Sequence, residues 1–170
     1  MFRAARKLKE PNSVEHGYNY ALFLLNLRLR TEGEMRQKMN QRGYASVVVD
    51  EVVGQLLTEK LLNDSLYAEI YLENLKQYKN YGFFMIKKKL MERRLPKELI
   101  EAKLTELLPL EEELKIAKRF VAKELDLAKR KGVSLKVKSD KSKPLTDRQT
   151  LARKFQTRGF RSDVVRQAIF

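Results

Sequence analysis

Apolar positions along the chain recur in three segments with the same internal spacing. Each segment opens with two apolar residues four positions apart, which places both on one face of a helix. A large apolar residue follows five positions later, and apolar residues at helical spacing then continue, which predicts a second helix. The second copy lies 51 residues after the first, and the third copy lies 65 residues after the second. The three sets are Met35, Met39, Tyr44, Val48, Val49 and Val53; Ile86, Leu90, Leu95, Leu99, Ile100 and Leu104; and Leu151, Phe155, Phe160, Val164, Val165 and Ile169.

Signals for helix ends fall at equivalent places in these segments. Thr31 is an N-cap candidate before the first helix pair, and Thr31-Glu-Gly-Glu34 matches a capping box. Gly43 and Gly159 stand where that helix should end in a left-handed C-cap. The second segment has Arg94 at this place, and there we expect Leu95-Pro96 to end the helix, because the residue before a proline avoids helical geometry.

A further helical stretch precedes each pair, at residues 18–30, 64–79 and 110–131. The acidic triplet 111–113 opens the last of these and the basic triplet 129–131 closes it, which matches the helix macrodipole. We therefore interpret the acidic triplet as a helix start rather than as a metal or acid–base site. The predicted apolar stripe of this helix is Leu114, Ala117, Val121, Leu125 and Ala128.

These patterns predict an all-α fold: a tandem array of three three-helix, helix-turn-helix-like repeats, elongated and curved. A unit of this size buries little core alone, so neighbouring units should pack together. The predicted organisation is a basic N-terminal segment at 1–17, repeat 1 at 18–63, repeat 2 at 64–109 and repeat 3 at 110–170, with a Lys-rich insert at 132–144.

Composition excludes several kinds of chemistry. The 170 residues contain no Cys and a single His, His16, so disulfides, thiol catalysis and the usual zinc sites are ruled out. The chain has no Gly-rich phosphate loop, no dinucleotide fingerprint and no nucleophile elbow. We expect a protein that is not an enzyme and has no cofactor. The longest strongly apolar stretch, 20–27, is far shorter than a bilayer span, so we expect no membrane partner and a cytoplasmic protein.

The net charge of +14 points to a polyanionic partner. The excess is concentrated at residues 110–170, which carry 17 basic and 8 acidic residues. A basic surface that serves only solubility is the alternative. The interpretation as a sequence-specific DNA-binding protein is less well supported than the interpretation as a filament binder. No helix pair presents an obvious set of Arg, Asn and Gln that could read bases. The candidate basic face for filament or DNA binding comprises Arg42, Lys87, Lys88, Lys89, Arg93, Arg94, Arg153, Lys154, Arg158 and Arg161.

Aromatic residues cluster in the second segment. They could stack on single-stranded bases, although residues at helical spacing more often belong to the core. The cluster consists of Tyr67, Tyr71, Tyr78, Tyr81, Phe83 and Phe84.

The ordered set of motifs resembles the RecX family over residues 18–170. The most specific piece is 62–68, LNDSLYA, which is similar to the family's Leu-x-Asp-x-x-aromatic-Ala stretch at the entry to the second repeat. The helix that follows Gly82 resembles the family's Gly-led helix. In the first repeat, an Arg and a Thr precede a helix that contains Glu-Met, which is similar to the family's Arg and Ser/Thr before a Glu-Leu helix. These further matches are Gly82, Ile86, Leu90, Arg93 and Leu95, and Arg28, Arg30, Thr31, Glu34, Met35 and Met39.

The chain also departs from the family pattern. Lys89 stands where the family often has Glu, and Arg94 stands where it often has Gly, so the central repeat is more basic. The insert at 132–144 has no clear counterpart. These departures bear on the electrostatics of partner binding rather than on the fold.

The resemblance implies a non-catalytic modulator of the RecA recombinase in DNA repair and recombination. Such proteins bind in the groove of the RecA–DNA filament and inhibit filament growth, ATP hydrolysis and strand exchange. The implied partner is the RecA filament. We also expect single- or double-stranded DNA to bind through the basic surface, and we expect a monomer. Two alternatives stay open: a stand-alone nucleic-acid-binding helical protein, and a protein-interaction scaffold whose charge provides only solubility.

Overall fold

A computed structural model describes residues 10–130 and 146–169 of the chain. These residues form helices joined by short turns, as the all-α prediction requires. The predicted insert 132–144 and residues 1–9 of the predicted N-terminal segment lie outside the described residues. The helices are α1 (Val14–Leu27), α2 (Glu32–Arg42), α3 (Ser46–Thr58), α4 (Asp64–Asn74), a π-helical turn (Leu75–Lys79), α5 (Phe83–Glu92), α6 (Lys97–Leu107), α7 (Leu110–Arg130), α8 (Thr146–Thr157) and α9 (Ser162–Ile169).

The described residues form two compact units. The first unit contains residues 10–68 and the turn Glu92–Pro96, and the second contains Glu69–Met91 with the described part of Lys97–Phe170. The division of the chain at the predicted repeat boundaries stays a prediction.

The core of the first unit forms where α1, α2 and α3 pack together. The predicted pair Met35 and Met39 is fully buried, and Val52 and Val53 of α3 lie beside it. Gly17 permits the close approach of α1, since a Cβ there would lie 3.0 Å from Cγ1 of Val48. The repeating apolar pattern thus identifies the buried helix faces of this unit.

Aromatic rings fill part of the core of the second unit. Phe155 packs edge-on against Phe120 and Phe160, with ring centroids 5.1 and 4.9 Å apart. The predicted pair Ile86 and Leu90 is fully buried as well. On α7 the apolar stripe is wider than the prediction, because Ile116 and Phe120 are buried in addition to Ala117 and Val121.

The helix ends confirm most of the predicted caps. Thr31 caps α2, where its side-chain oxygen accepts a hydrogen bond from the Glu34 N–H at 3.1 Å. Gly43 and Gly159 adopt positive φ of 101° and 72° at the ends of α2 and α8. Arg94 adopts φ of 59°, so the second turn uses the same left-handed reversal, and the expectation that Leu95-Pro96 ends α5 by another route was wrong.

In the part of the chain that the structure describes, no helix has the length and apolar character needed to cross a membrane.

Candidate nucleic-acid interface

The start of α2 is joined to the turn that follows α5. The Thr31 hydroxyl donates a hydrogen bond to the Arg93 carbonyl at 2.5 Å. Gly33 lies directly against the same turn, since a Cβ there would be 2.6 Å from the Arg94 carbonyl oxygen. The turn containing Arg93 and Arg94, both predicted to bind a partner, is therefore also a structural contact of the first unit.

The same contact recurs at the equivalent positions of the second unit. The Gly82 N–H donates to the Arg158 carbonyl at 2.9 Å, and the Phe84 N–H donates to the Gly159 carbonyl at 2.8 Å. A Cβ on Gly82 would lie 2.5 Å from the Phe160 Cα. The start of one helix thus meets the closing turn of a later helix twice in the chain.

An acidic side chain completes each of these contacts. Asp64 at the start of α4 accepts the Glu32 N–H at 2.8 Å, and Glu113 on α7 accepts the Phe83 N–H at 3.0 Å. Both acceptors satisfy a backbone donor that a helix start leaves without an intrahelical partner. Burial raises the pKa of Asp64, and the hydrogen bond from Glu32 opposes that shift.

Glu113 is a fully buried carboxylate. Besides capping α5 it accepts from the Arg161 backbone N–H at 3.0 Å and forms an ion pair with the Arg161 guanidinium. The predicted helix start at the acidic triplet is confirmed, because α7 begins at Leu110. Its third carboxylate, however, binds the start of α5 and Arg161 rather than facing solvent. Charge and helical position alone did not indicate this.

Glu34 of α2 is the centre of a second buried ionic cluster. Its carboxylate accepts hydrogen bonds from Arg28 at 2.8 Å and from Arg93 at 3.1 Å. The carboxylate thus serves two guanidinium groups, whereas a capping box would direct it back to the helix start. Burial raises the pKa of Glu34, but the hydrogen bonds from Arg28 and Arg93 outweigh burial and hold that pKa below its usual value.

Three residues of the candidate basic face lie in the first unit. Arg93 is half-buried on Glu34, whereas Arg42 and Arg94 are exposed. The Arg42 guanidinium lies 5.8 Å from the centre of the Tyr20 ring. Of these three, Arg93 is the one that forms an ion pair with a carboxylate among the described residues.

The α5 residues of the candidate face lie in the second unit. Lys87 is half-buried and pairs with Glu101 at 3.2 Å. Lys89 is also half-buried. Lys88 is exposed and makes no ion pair to a described residue. Lys88 is therefore the α5 cation with the most charge available to a partner.

The remaining candidates lie on or beside α8. Lys154 pairs with Glu124 of α7 and Arg161 pairs with Glu113. Arg158 donates to the Lys79 carbonyl at 2.6 Å and its guanidinium lies 4.6 Å from the centre of the Phe120 ring. Arg153 is exposed and has no ion pair within the described residues. Whether the ten residues act as one binding face stays a prediction.

A π-helical turn at the end of α4 is a feature that the sequence pattern did not indicate. The turn ends at Asn80, which is buried and adopts φ of 49°. Arg119 donates to the Asn80 side chain at 3.0 Å and to the Lys76 carbonyl at 2.7 Å. Two arginines, Arg119 and Arg158, thus satisfy carbonyls at this helix end, as cations commonly do there.

Comparison with known proteins shows similarity to the RecX family. The family model "RecX, first three-helix domain" matches residues 18–56. Regulatory protein RecX of Halalkalibacterium halodurans is 26% identical over 157 residues, which are 92% of this chain and 54% of that protein. Regulatory protein RecX of Geobacillus kaustophilus is 30% identical over 112 residues, 66% of this chain and 41% of that protein. The chain is therefore similar to the RecX family over its first three helices and to regulatory RecX proteins over most of its length.

A solved structure supports the fold of the chain. The crystal structure of RecX from Lactobacillus salivarius superposes with a TM-score of 0.76 at 23% identity, and covers 95% of this chain and 96% of that one. The chain spans about half the length of the curated RecX relatives described above. The resemblance expected from the sequence motifs is thereby confirmed.

Proposed function

We propose that the protein is a non-catalytic regulator that binds the RecA nucleoprotein filament and inhibits or modulates its ATP hydrolysis, strand exchange and extension. The observation that carries the proposal is the match to proteins named regulatory protein RecX, which extends over 92% of this chain. These relatives are named regulatory proteins, and the RecX resemblance implies RecA as the regulated protein.

The charge of the chain is consistent with such a partner. A net charge of +14 favours association with a filament that carries DNA phosphates. Lys88 and Arg153 are exposed and make no ion pair to a described residue, so their charge is available for phosphates or acidic side chains. Contacts of this kind do not depend on base sequence.

A titration of RecA activity tests the proposal. Increasing amounts of the protein are added to RecA on single-stranded DNA, and ATP hydrolysis and strand exchange are measured. We expect both activities to fall in a saturable manner. Unchanged activity at protein concentrations that saturate the filament would contradict the proposal.

Charge reversal tests the contribution of the basic face. The double variant Lys88→Glu/Arg153→Glu should weaken filament binding and reduce its dependence on salt, because two cationic contacts are lost. The matched control is Lys97→Glu/Lys118→Glu, which changes the charge equally at exposed lysines outside the candidate face. Equal weakening by both double variants would show that net charge, rather than this face, drives binding.

A further inference from the structure

An open cleft of about 520 Å³ lies beside the π-helical turn of the second unit. Residues of the π turn, α7 and α8 line it, and all of them belong to the second unit. The ring of Phe120 and the guanidinium of Arg158 are among them, held 4.6 Å apart. Because Arg158 also donates to the Lys79 carbonyl, this part of the wall is fixed by contacts within the fold.

Cations exceed anions in the cleft. Lys79 and Lys123 are exposed lining residues, and neither has an ion pair with any described residue. Glu124 also lines the cleft, but its carboxylate is bound by Lys154. The charge that remains available to a ligand is therefore positive, which favours an anion.

An exposed aromatic ring stands beside these cations. Tyr78 of the π turn lines the cleft and is 71% exposed. This exposed fraction is the second highest among the described large hydrophobic residues. Tyr81, a half-buried residue, lines the cleft as well. Core packing does not account for Tyr78, so the stacking interpretation of the aromatic cluster applies to this residue.

We propose that this cleft binds single-stranded nucleic acid, with a base stacked on Tyr78 and phosphates held by Lys79 and Lys123. An exposed ring next to cations that no described residue pairs suits a base and its phosphate together, since sequence-tolerant single-strand sites combine aromatic platforms with a positive groove. An acidic peptide would use the lysines but would gain less from the ring. The site acts on bare strands and does not depend on the RecA proposal.

The test is the binding of a fluorescently labelled oligothymidylate, measured by anisotropy over a series of salt concentrations without RecA. Tyr78→Leu should weaken binding by about 5- to 150-fold, the effect of losing one stacked base, and leave the salt dependence unchanged. Lys123→Gln should lower the slope of log affinity against log salt by about 0.7, because one phosphate contact of a single strand is lost.

Matched controls separate the cleft from the general charge and hydrophobicity of the protein. Lys118→Gln removes an exposed lysine from the same helix outside the cleft, and Phe23→Leu removes an exposed ring of the first unit. Both controls should bind as the wild type does. Wild-type affinity of Tyr78→Leu, or an unchanged slope for Lys123→Gln, would overturn the proposal. So would an equal loss of polyglutamate binding in Tyr78→Leu, which would assign the cleft to an acidic peptide.

Discussion

Arg94 adopts a left-handed backbone conformation, and glycine stands at the equivalent position of the two other turns. Its φ of 59° compares with 101° at Gly43 and 72° at Gly159. A side chain in left-handed geometry costs about 1–2 kcal/mol, because Cβ crowds the following carbonyl. The turn thus carries an exposed cation at a local conformational cost.

Arg94→Gly should stabilise the protein by about 0.5–1 kcal/mol. The relief of left-handed strain exceeds the extra chain entropy that glycine loses on folding, about 0.5–1 kcal/mol. Urea unfolding followed by circular dichroism measures the change in the free energy of unfolding. Lys38→Gly is the control, since it removes the same charge from an exposed position inside α2 and should cost about 1 kcal/mol. A loss of stability in Arg94→Gly would contradict the strain assignment.

The depressed pKa of Glu34 predicts a pH-dependent contribution to stability. A carboxyl group whose folded pKa lies below its unfolded value of about 4.3 stabilises the fold above that pH, and this stabilisation is lost as pH falls through the folded pKa. Glu34→Gln should therefore be less stable than the wild type at pH 7. The difference should shrink below about pH 4.

Unfolding free energies of both proteins measured across pH 3 to 7 check this prediction. The control is Glu51→Gln. Glu51 is exposed on α3 and forms no ion pair with a described residue, so this variant should follow the wild-type curve. A difference between Glu34→Gln and wild type that stays constant over this pH range would show that charge on Glu34 is not the cause.

The recurring arginine of the three turns shows how far single residues could be predicted. Arg42, Arg93 and Arg158 stand at equivalent positions of the three turns, and the candidate basic face included all three. The structure gives two of them hydrogen-bonding partners within the fold, Glu34 for Arg93 and the Lys79 carbonyl for Arg158. Such partners come from distant parts of the chain, so local patterning could not identify them.

At the scale of single elements, the start of α5 lies so close to the turn after α8 that Gly82 has no room for a side chain. Gly82→Ala should destabilise the protein by about 1–3 kcal/mol, because the new Cβ would meet the backbone of Gly159 and Phe160 and the chain would have to shift. Thermal and urea unfolding measure this loss. The effect reflects crowding, since Gly82 has no positive φ.

Gly54 in α3 provides the matched control for this substitution. A Cβ at Gly54 would have no heavy atom within 4 Å. Gly54→Ala should therefore stabilise the protein by about 1 kcal/mol through helix propensity alone. If both substitutions changed stability in the same direction, close packing at Gly82 would not be the cause.

Helices were predictable from the sequence to different degrees. The ends of α2 and α8 followed from Thr31, Gly43 and Gly159, because caps depend on local residue chemistry. The π-helical turn at Leu75–Lys79 was not predictable, since it interrupts an otherwise continuous helical pattern. The burial of Glu113 also depends on α5 and Arg161, which local sequence does not bring together.

At the scale of the whole molecule, the three-fold recurrence of apolar positions predicted the all-α fold. The pairs Met35/Met39 and Ile86/Leu90 are buried as that periodicity requires. Charge was harder to interpret, because composition counts cations without showing which are neutralised. Several of the ten candidate cations form ion pairs within the fold, whereas Lys88 and Arg153 lack one among the described residues.

The most direct test of RecA regulation compares affinity for bare single-stranded DNA with affinity for the same DNA coated by RecA, at one salt concentration. Salt must be fixed because contacts to phosphates weaken steeply as it rises. We predict much tighter binding to the coated strand, since the filament adds protein contacts to those with phosphates. Equal affinity for both forms, without any change in RecA's ATPase activity, would contradict the account and identify a stand-alone nucleic-acid-binding protein.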